Sequence, residues 1–276
     1  MQAASPPHTE LRRAALHWLA ECEVACKVEG VRQLAGDWSA GRIALDMQSA
    51  LAAAQGIPGR PARPELVAPR LVKRRAMNTA EGRAVLIHAL THIEFNAINL
   101  ALDAIWRFPG MPAAFYTDWL RVADEEALHY ALLAGHLQGM GYTYGDFPAH
   151  SSLWEMADKT RDDPLARMSL VPRTMEARGL DVVPAMRYKL AQAGDEAAAQ
   201  ILDVILRDEI GHVAIGNRWY QYLCEQRGLE PVSTHARLAG EYRAPQPRGP
   251  FNIEARLAAG FSEPELSALD NQHRDT

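Results

Sequence analysis

The sequence predicts an all-α protein built around a four-helix bundle. Three features point there. Apolar residues recur at three- and four-residue spacing over long stretches, no strand-like alternation of any length occurs, and Pro/Gly punctuation divides residues 79–230 into four long segments.

Taken in order, residues from about Thr9 to Leu34 read as one amphipathic helix, with Leu11, Leu16, Leu19 and Val24 along one side. The stretch GIPGRPARPELVAP, Gly56 to Pro69, is too rich in proline for regular structure. Residues 1–78 are therefore expected to form an N-terminal helix and a Pro/Arg-rich loop packed on the bundle. The first bundle helix runs from about Glu81 to Phe108, ended by Pro109-Gly110, and the second from about Pro112 to Gly139. A polar, aromatic connection follows (YTYGDFPAHSSLWEMADKT). The third helix spans about Pro164 to Ala193, with an irregularity expected between Gly179 and Pro184 because proline removes a helix hydrogen bond. The fourth spans about Asp195 to Arg227, stopped by Gly228 and Pro231. Residues 231–276 read as a tail covering the bundle, irregular apart from a short helical stretch from Glu254 to Ala259. Two hairpins joined by a long crossover is an established bundle topology.

A hydrophobic fraction of 48% supplies a sizeable core, and a net charge of −5 gives no general attraction to nucleic acid or anionic membrane. The three cysteines, Cys22, Cys26 and Cys224, form neither a disulfide framework nor a metal knuckle, which suits a reducing compartment. The N-terminus lacks an apolar signal core, and no run of about 18 apolar residues suggests a membrane span. A cytoplasmic location is expected.

Two Glu-x-x-His motifs carry the chemistry: Glu126 with His129, and Glu209 with His212. Residues three apart on a helix share a side one turn apart, so both can bind one ion. With 19 glutamates and 10 histidines in the chain, roughly 0.7 such pairs arise by chance. Placement is what distinguishes these two. Carboxylate-bridged bundles use a single Glu from each of two helices and Glu-x-x-His from the other two. Glu94 lies midway along the first helix and Glu176 in the third, completing that order. Glu94 precedes Glu126 by 32 residues and Glu176 precedes Glu209 by 33, so the halves are nearly equivalent. Glu94 and Glu126 each lie about 16 residues from the first turn, or ~24 Å, and so meet across an antiparallel pair.

The faces agree. Glu94 shares its stripe with Ile87, Thr91, Ile98, Ala101 and Ile105. The second helix offers Phe115, Trp119, Val122, Leu133 and His136, and the fourth Leu202, Ile205, Gly216 and Trp219. Carboxylates pointing into such an interior need a compensating cation. Four carboxylates with two imidazoles suit two ions, Fe first and Mn second, better than Zn, Mg or Ca. Glu125 and Asp208 are candidates for an outer layer, Asp208 toward His129 and Glu125 toward His212.

On these residues, the span from about Glu81 to Arg227 resembles the ferritin-like superfamily, which includes bacterioferritin, rubrerythrin, the ribonucleotide reductase small subunit and a tRNA hydroxylase. The stretches HALTHIEFNAINLALDAIWRF, ADEEALHY and RDEIGHVAIGNRWY resemble in particular an uncharacterised bacterial ferritin-like family, with similarity extending to GRPARPELVAPR and RGPFNIEAR. The resemblance implies a ferritin-like bundle and a di-iron or di-manganese carboxylate centre. It also implies the division of ligands, with Glu126 and Glu176 bridging and Glu94 and Glu209 terminal.

The expected activity is dioxygen-dependent oxidation of a small organic substrate, with an electron donor and possible self-association as a homodimer. The alternatives are an iron-handling or peroxide-scavenging protein, and a metal-free interaction module. The bundle-flanking segments and the absence of a Cys-rich electron-transfer segment weigh against the first, and the intact ligand set against the second. His88, His92 and His136 read as hydrogen-bonding histidines, and Tyr130, Tyr188 and Tyr220 as packing. The basic residues Arg60, Arg63, Arg70, Lys73, Arg74 and Arg75 read as solvated side chains pinning a loop rather than an RNA track. Arg248 to Asn252 is a candidate lid, with Phe251 directed inward and Arg248 toward a carboxylate or anionic substrate.

Overall fold

The computed structural model describes residues 9–52, 55–72 and 75–274. Lys73 and Arg74 of the basic stretch lie outside them. The described residues are helical, with two isolated bridges, Glu10 with Ala44 and Leu66 with Ala149, as their only extended pairing. The helices are α1 (Leu11–Ala20), α2 (Val24–Ser39), α3 (Ala80–Arg107), α4 (Ala113–Gly139), α5 (Ser152–Lys159) and α6 (Pro164–Leu170). After a π-helical segment, Val171–Glu176, come α7 (Ala177–Gln192), α8 (Glu196–Gln226), α9 (Pro231–Glu241), α10 (Ile253–Ala258) and α11 (Glu263–Arg274).

The four long segments fall within a residue or two of their expected bounds, but four expectations change. The N-terminal helix is two helices, broken at Glu21-Cys22-Glu23, where Glu21 and Glu23 are extended and Glu21 accepts from the Glu23 N–H. The third long helix is irregular at Val171–Glu176 rather than at Gly179 to Pro184. Both the connection after α4 and the tail contain helices, α5 in the first and α9 and α11 in the second. Finally, α3 does contain an 18-residue window apolar enough to cross a membrane by length and composition; 78% of it is buried inside the protein, as in a core helix.

Contacts divide the chain into two units. The first comprises the chain up to Leu66, His88–Gly135 and Thr143–Ala149; the second holds Val67–Ile87, His136–Tyr142 and everything from His150. In the first unit, α3 and α4 form an antiparallel hairpin whose turn is held by the Tyr116 hydroxyl donating to Phe108 O at 2.8 Å. The N-terminal segment is fastened to it by buried cations. Arg12 donates to Ile105 O and Trp106 O, carbonyls at the end of α3, and to Asp46 O and Ser49 O. A guanidinium there also meets the negative end of the helix dipole. Lys27, with its ammonium pushed down to about 7 by burial, donates to Leu19 O, Gly59 O and Asn99 Oδ1.

In the second unit, α7 and α8 form the other hairpin. Pro184 lies inside α7 and has no N–H to give Leu180 O. That carbonyl accepts from Asn252 Nδ2 at 3.2 Å instead, and the Asn252 N–H donates to Asp181. The tail is thus attached where the proline leaves a helix acceptor open. Beyond it, Ala255, Ala259, Phe261 and Leu266 join one apolar cluster with Ala177, Leu180 and Val213.

Candidate metal centre

The first unit assembles three of the expected ligands. Glu94 projects from α3, and Glu126 and His129 from one face of α4, at 3, 1 and 0% exposure. Their candidate ligand atoms lie within 4.8 Å of one another. His129 Nδ1 is 3.4 Å from Glu94 Oε2 and 3.3 Å from Glu126 Oε2. The apolar stripe expected around Glu94 is in place: Ile87, Thr91, Ile98, Ala101 and Ile105 are all fully buried. Burial, and then the neighbouring Glu126 carboxylate, hold the Glu94 carboxyl well above the usual carboxylate range. Burial alone would lower the imidazolium of His129, but hydrogen bonding to Glu126 and Glu94 outweighs it and pushes the group up to about 12. Two buried carboxyl groups thus meet one imidazole, a group that could hold a metal ion.

The second unit presents the equivalent pair on α8. Glu209 and His212 lie one turn apart, 8 and 0% exposed, with Glu209 Oε2 3.8 Å from His212 Nδ1. They belong to a buried stripe with Leu202, Ile205, Val213 and Gly216. At Gly216 the π-helical segment approaches closely, since a Cβ there would meet Pro172 Cβ at 2.5 Å. In an antiparallel packing, four residues from that crossing bring Glu176, the last π-helical residue, to the level of His212. A π-helical segment is a frequent device for redirecting a side chain at a functional site.

The other expected participants are placed as follows. Glu125 accepts from Arg121 Nε at 2.9 Å, and Asp208 from Arg207 Nε and Nη2 at 2.8 and 3.0 Å. Phe251 is half-buried with the Arg256 guanidinium 5.2 Å from its ring centroid, and Arg248 is exposed. His136 pairs with Asp195, Nε2 to Oδ1 at 3.1 Å. His88 accepts from the Gly145 N–H at 2.9 Å and is pushed down to about 4 by burial. His92 Nδ1 lies 2.8 Å from the Tyr144 hydroxyl. Tyr130 is buried and Tyr188 is 63% exposed.

Some participants escape a sequence reading. Tyr144, stacked on His88 and His92, sits in a connection with no periodicity to mark it. Arg173, Asp181 and Arg256 are buried or nearly so, and neither spacing nor motif separates them from surface charges. One signal was readable: a proline inside α7 announces a carbonyl four residues earlier that lacks its helical donor.

Fold and site together define an all-helical protein with buried carboxylate–imidazole groups that could hold a metal ion. The chain belongs to the family described as a protein of unknown function (DUF455), which matches residues 12–267. It is 52% identical over 213 residues to an "Uncharacterized protein" of Haemophilus influenzae, covering 75% of this chain and 74% of that protein. No solved structure matches.

Proposed function

We propose that the chain is a ferritin-like di-metal carboxylate protein, with iron preferred and manganese admitted, that uses dioxygen to oxidise a small organic substrate. The observation that carries the reading is the buried Glu94–Glu126–His129 group with its ligand atoms within 4.8 Å. The near-equivalent spacing of Glu94 to Glu126 and Glu176 to Glu209 supports a second, matching half. In this reading Glu94, Glu126 and His129 would hold one ion and Glu176, Glu209 and His212 the other. Such a pair supplies redox chemistry with dioxygen that side chains lack.

The residues themselves provide the rest. His129 can act as a ligand only as a neutral imidazole, so its raised affinity for a proton sets metal loading in competition with protonation. Ile98 and Ala101, buried on the stripe of α3 that carries Glu94, would keep bulk water from the carboxylates. Glu125 and Asp208 would orient the histidines, and Arg248 to Asn252 would cover an opening of the bundle.

The test is oxygen uptake by protein loaded anaerobically with Fe(II). An oxidase consumes a limited amount of oxygen per chain and forms no mineral core. Hundreds of irons in a hollow, cage-sized particle would replace this reading with iron storage.

A further inference from the structure

A cavity of about 220 Å³ lies in the second unit, and none of the candidate metal ligands lines it. Its walls come from the π-helical segment, α9, residues 245–247, and the α10–α11 region. Val232, Ala236, Ala239, Phe261 and Leu269 make much of it apolar.

The charges at the wall are already matched. Arg173 donates from Nη2 to Glu265 Oε1 and from Nε to Asn217 Oδ1 at 2.6 Å. Arg256 donates from Nε and Nη2 to both oxygens of Asp181 at 2.9 and 2.7 Å. Arg173 is 5% and Arg256 3% exposed, and the Asp181 side chain is buried with them. Opening either pair would leave a buried charge alone, which is costly. His235, also in the wall, adds no charge near neutrality: burial, and then Arg173, push it down to about 4. A charged ligand would have to displace a carboxylate or stay unpaired, whereas an uncharged one leaves both ion pairs intact.

The two guanidinium groups nevertheless have donors to spare. Each carries five N–H bonds in one plane. Aromatic rings lie over both planes: Phe261 at 5.0 Å from Arg173 and 5.1 Å from Arg256, Tyr220 at 4.7 Å from Arg173, and Phe251 at 5.2 Å from Arg256. Hydrogen bonding is left to the edges, where Nε and Nη2 are engaged as described. The Nη1 group of each makes no hydrogen bond among the described residues and is not fully enclosed.

We propose that this cavity binds an uncharged, mainly apolar small molecule with a carbonyl oxygen, which accepts an N–H that Arg173 and Arg256 leave unused. A hydrogen bond from a charged donor is about twice as strong as one between neutral groups, so a carbonyl gains there without breaking an ion pair. The volume exceeds the ~150 Å³ that admits a benzene ring, so a phenyl ring with a short substituent fits. This assignment does not depend on the metal centre.

The experiment is a titration of the full chain with acetophenone, ethylbenzene and benzoate, observed by ligand NMR and calorimetry. The three are close in size and differ in the group they present: a neutral acceptor, no acceptor, and an anion. A Kd of about 0.1–1 mM is expected for acetophenone. Ethylbenzene should bind at least about fivefold more weakly, lacking the hydrogen bond, and benzoate at least about tenfold more weakly, meeting only paired cations. Ala239→Phe fills the cavity from its α9 wall, and Ala236→Phe does so from an exposed position that the fold tolerates more readily. Each should abolish acetophenone binding at unchanged metal content. The assignment is overturned if acetophenone does not saturate below about 10 mM, if ethylbenzene or benzoate binds as tightly, or if a folded Ala236→Phe protein binds undiminished.

Discussion

Glu94 is a carboxyl group that the fold buries among Ile87, Ile98 and Ala101 and beside a second carboxylate. Its folded pKa is raised, so its effect on stability is harmless below the unfolded value and becomes a cost as pH rises through the folded one. Glu94→Gln should therefore raise the melting temperature of metal-free protein at pH 7–8, by about 1–3 kcal/mol of stability, while lowering metal content. Equal melting temperatures for the two would show that the carboxylate is not under strain. His88 and His235 work in the opposite window. Both are pushed down to about 4, mainly by burial. An unfolded chain takes up their protons as pH falls below about 6.5 and the folded chain does not, so stability drops between there and about pH 4. His88→Gln, which keeps an acceptor for the Gly145 N–H, should flatten that part of a plot of melting temperature against pH.

Among the elements, the two Pro-containing stretches behave differently, and neither was legible. Pro184 marks no break in α7, because Asn252 supplies the donor that Leu180 O lacks. The irregularity sits at Val171–Glu176 instead, where Pro172 packs against Gly216. Helix periods and Pro/Gly stops set the long segments correctly, since those are local properties of the chain. What a proline does depends on a partner about 70 residues away, which no local pattern reveals. The same limit hid α9 and α11, short helices that bury Thr234 and Leu238 in the first and Leu266 in the second. Two outcomes follow. Asn252→Ser, which keeps an oxygen to cap α10, should cost about 1–2 kcal/mol, and less in a Pro184→Ala background where Leu180 O regains its N–H. A double-mutant cycle by denaturant unfolding measures the difference. Gly216→Ala should cost about 1–3 kcal/mol from overpacking and reduce metal retention by displacing the segment that ends in Glu176. Retention equal to that of the unaltered protein would detach the π-helical segment from the site.

For the whole molecule, residue types and their order disclosed an all-helical chain and the two Glu-x-x-His pairs, because ligands three apart on a helix need no tertiary knowledge to recognise. Glu94 was findable only by counting from the first turn, and the first unit does bring it to His129 and Glu126. The direct test is metal stoichiometry on chains purified without chelator and reconstituted anaerobically with Fe(II), measured by elemental analysis for the unaltered protein and for Glu126→Ala and Glu209→Ala. The proposed pair of half-sites predicts about two ions per folded chain, with both lost in either variant. A well-folded chain that takes up none, or one that retains both ions after Glu126 and Glu209 are replaced, would contradict it.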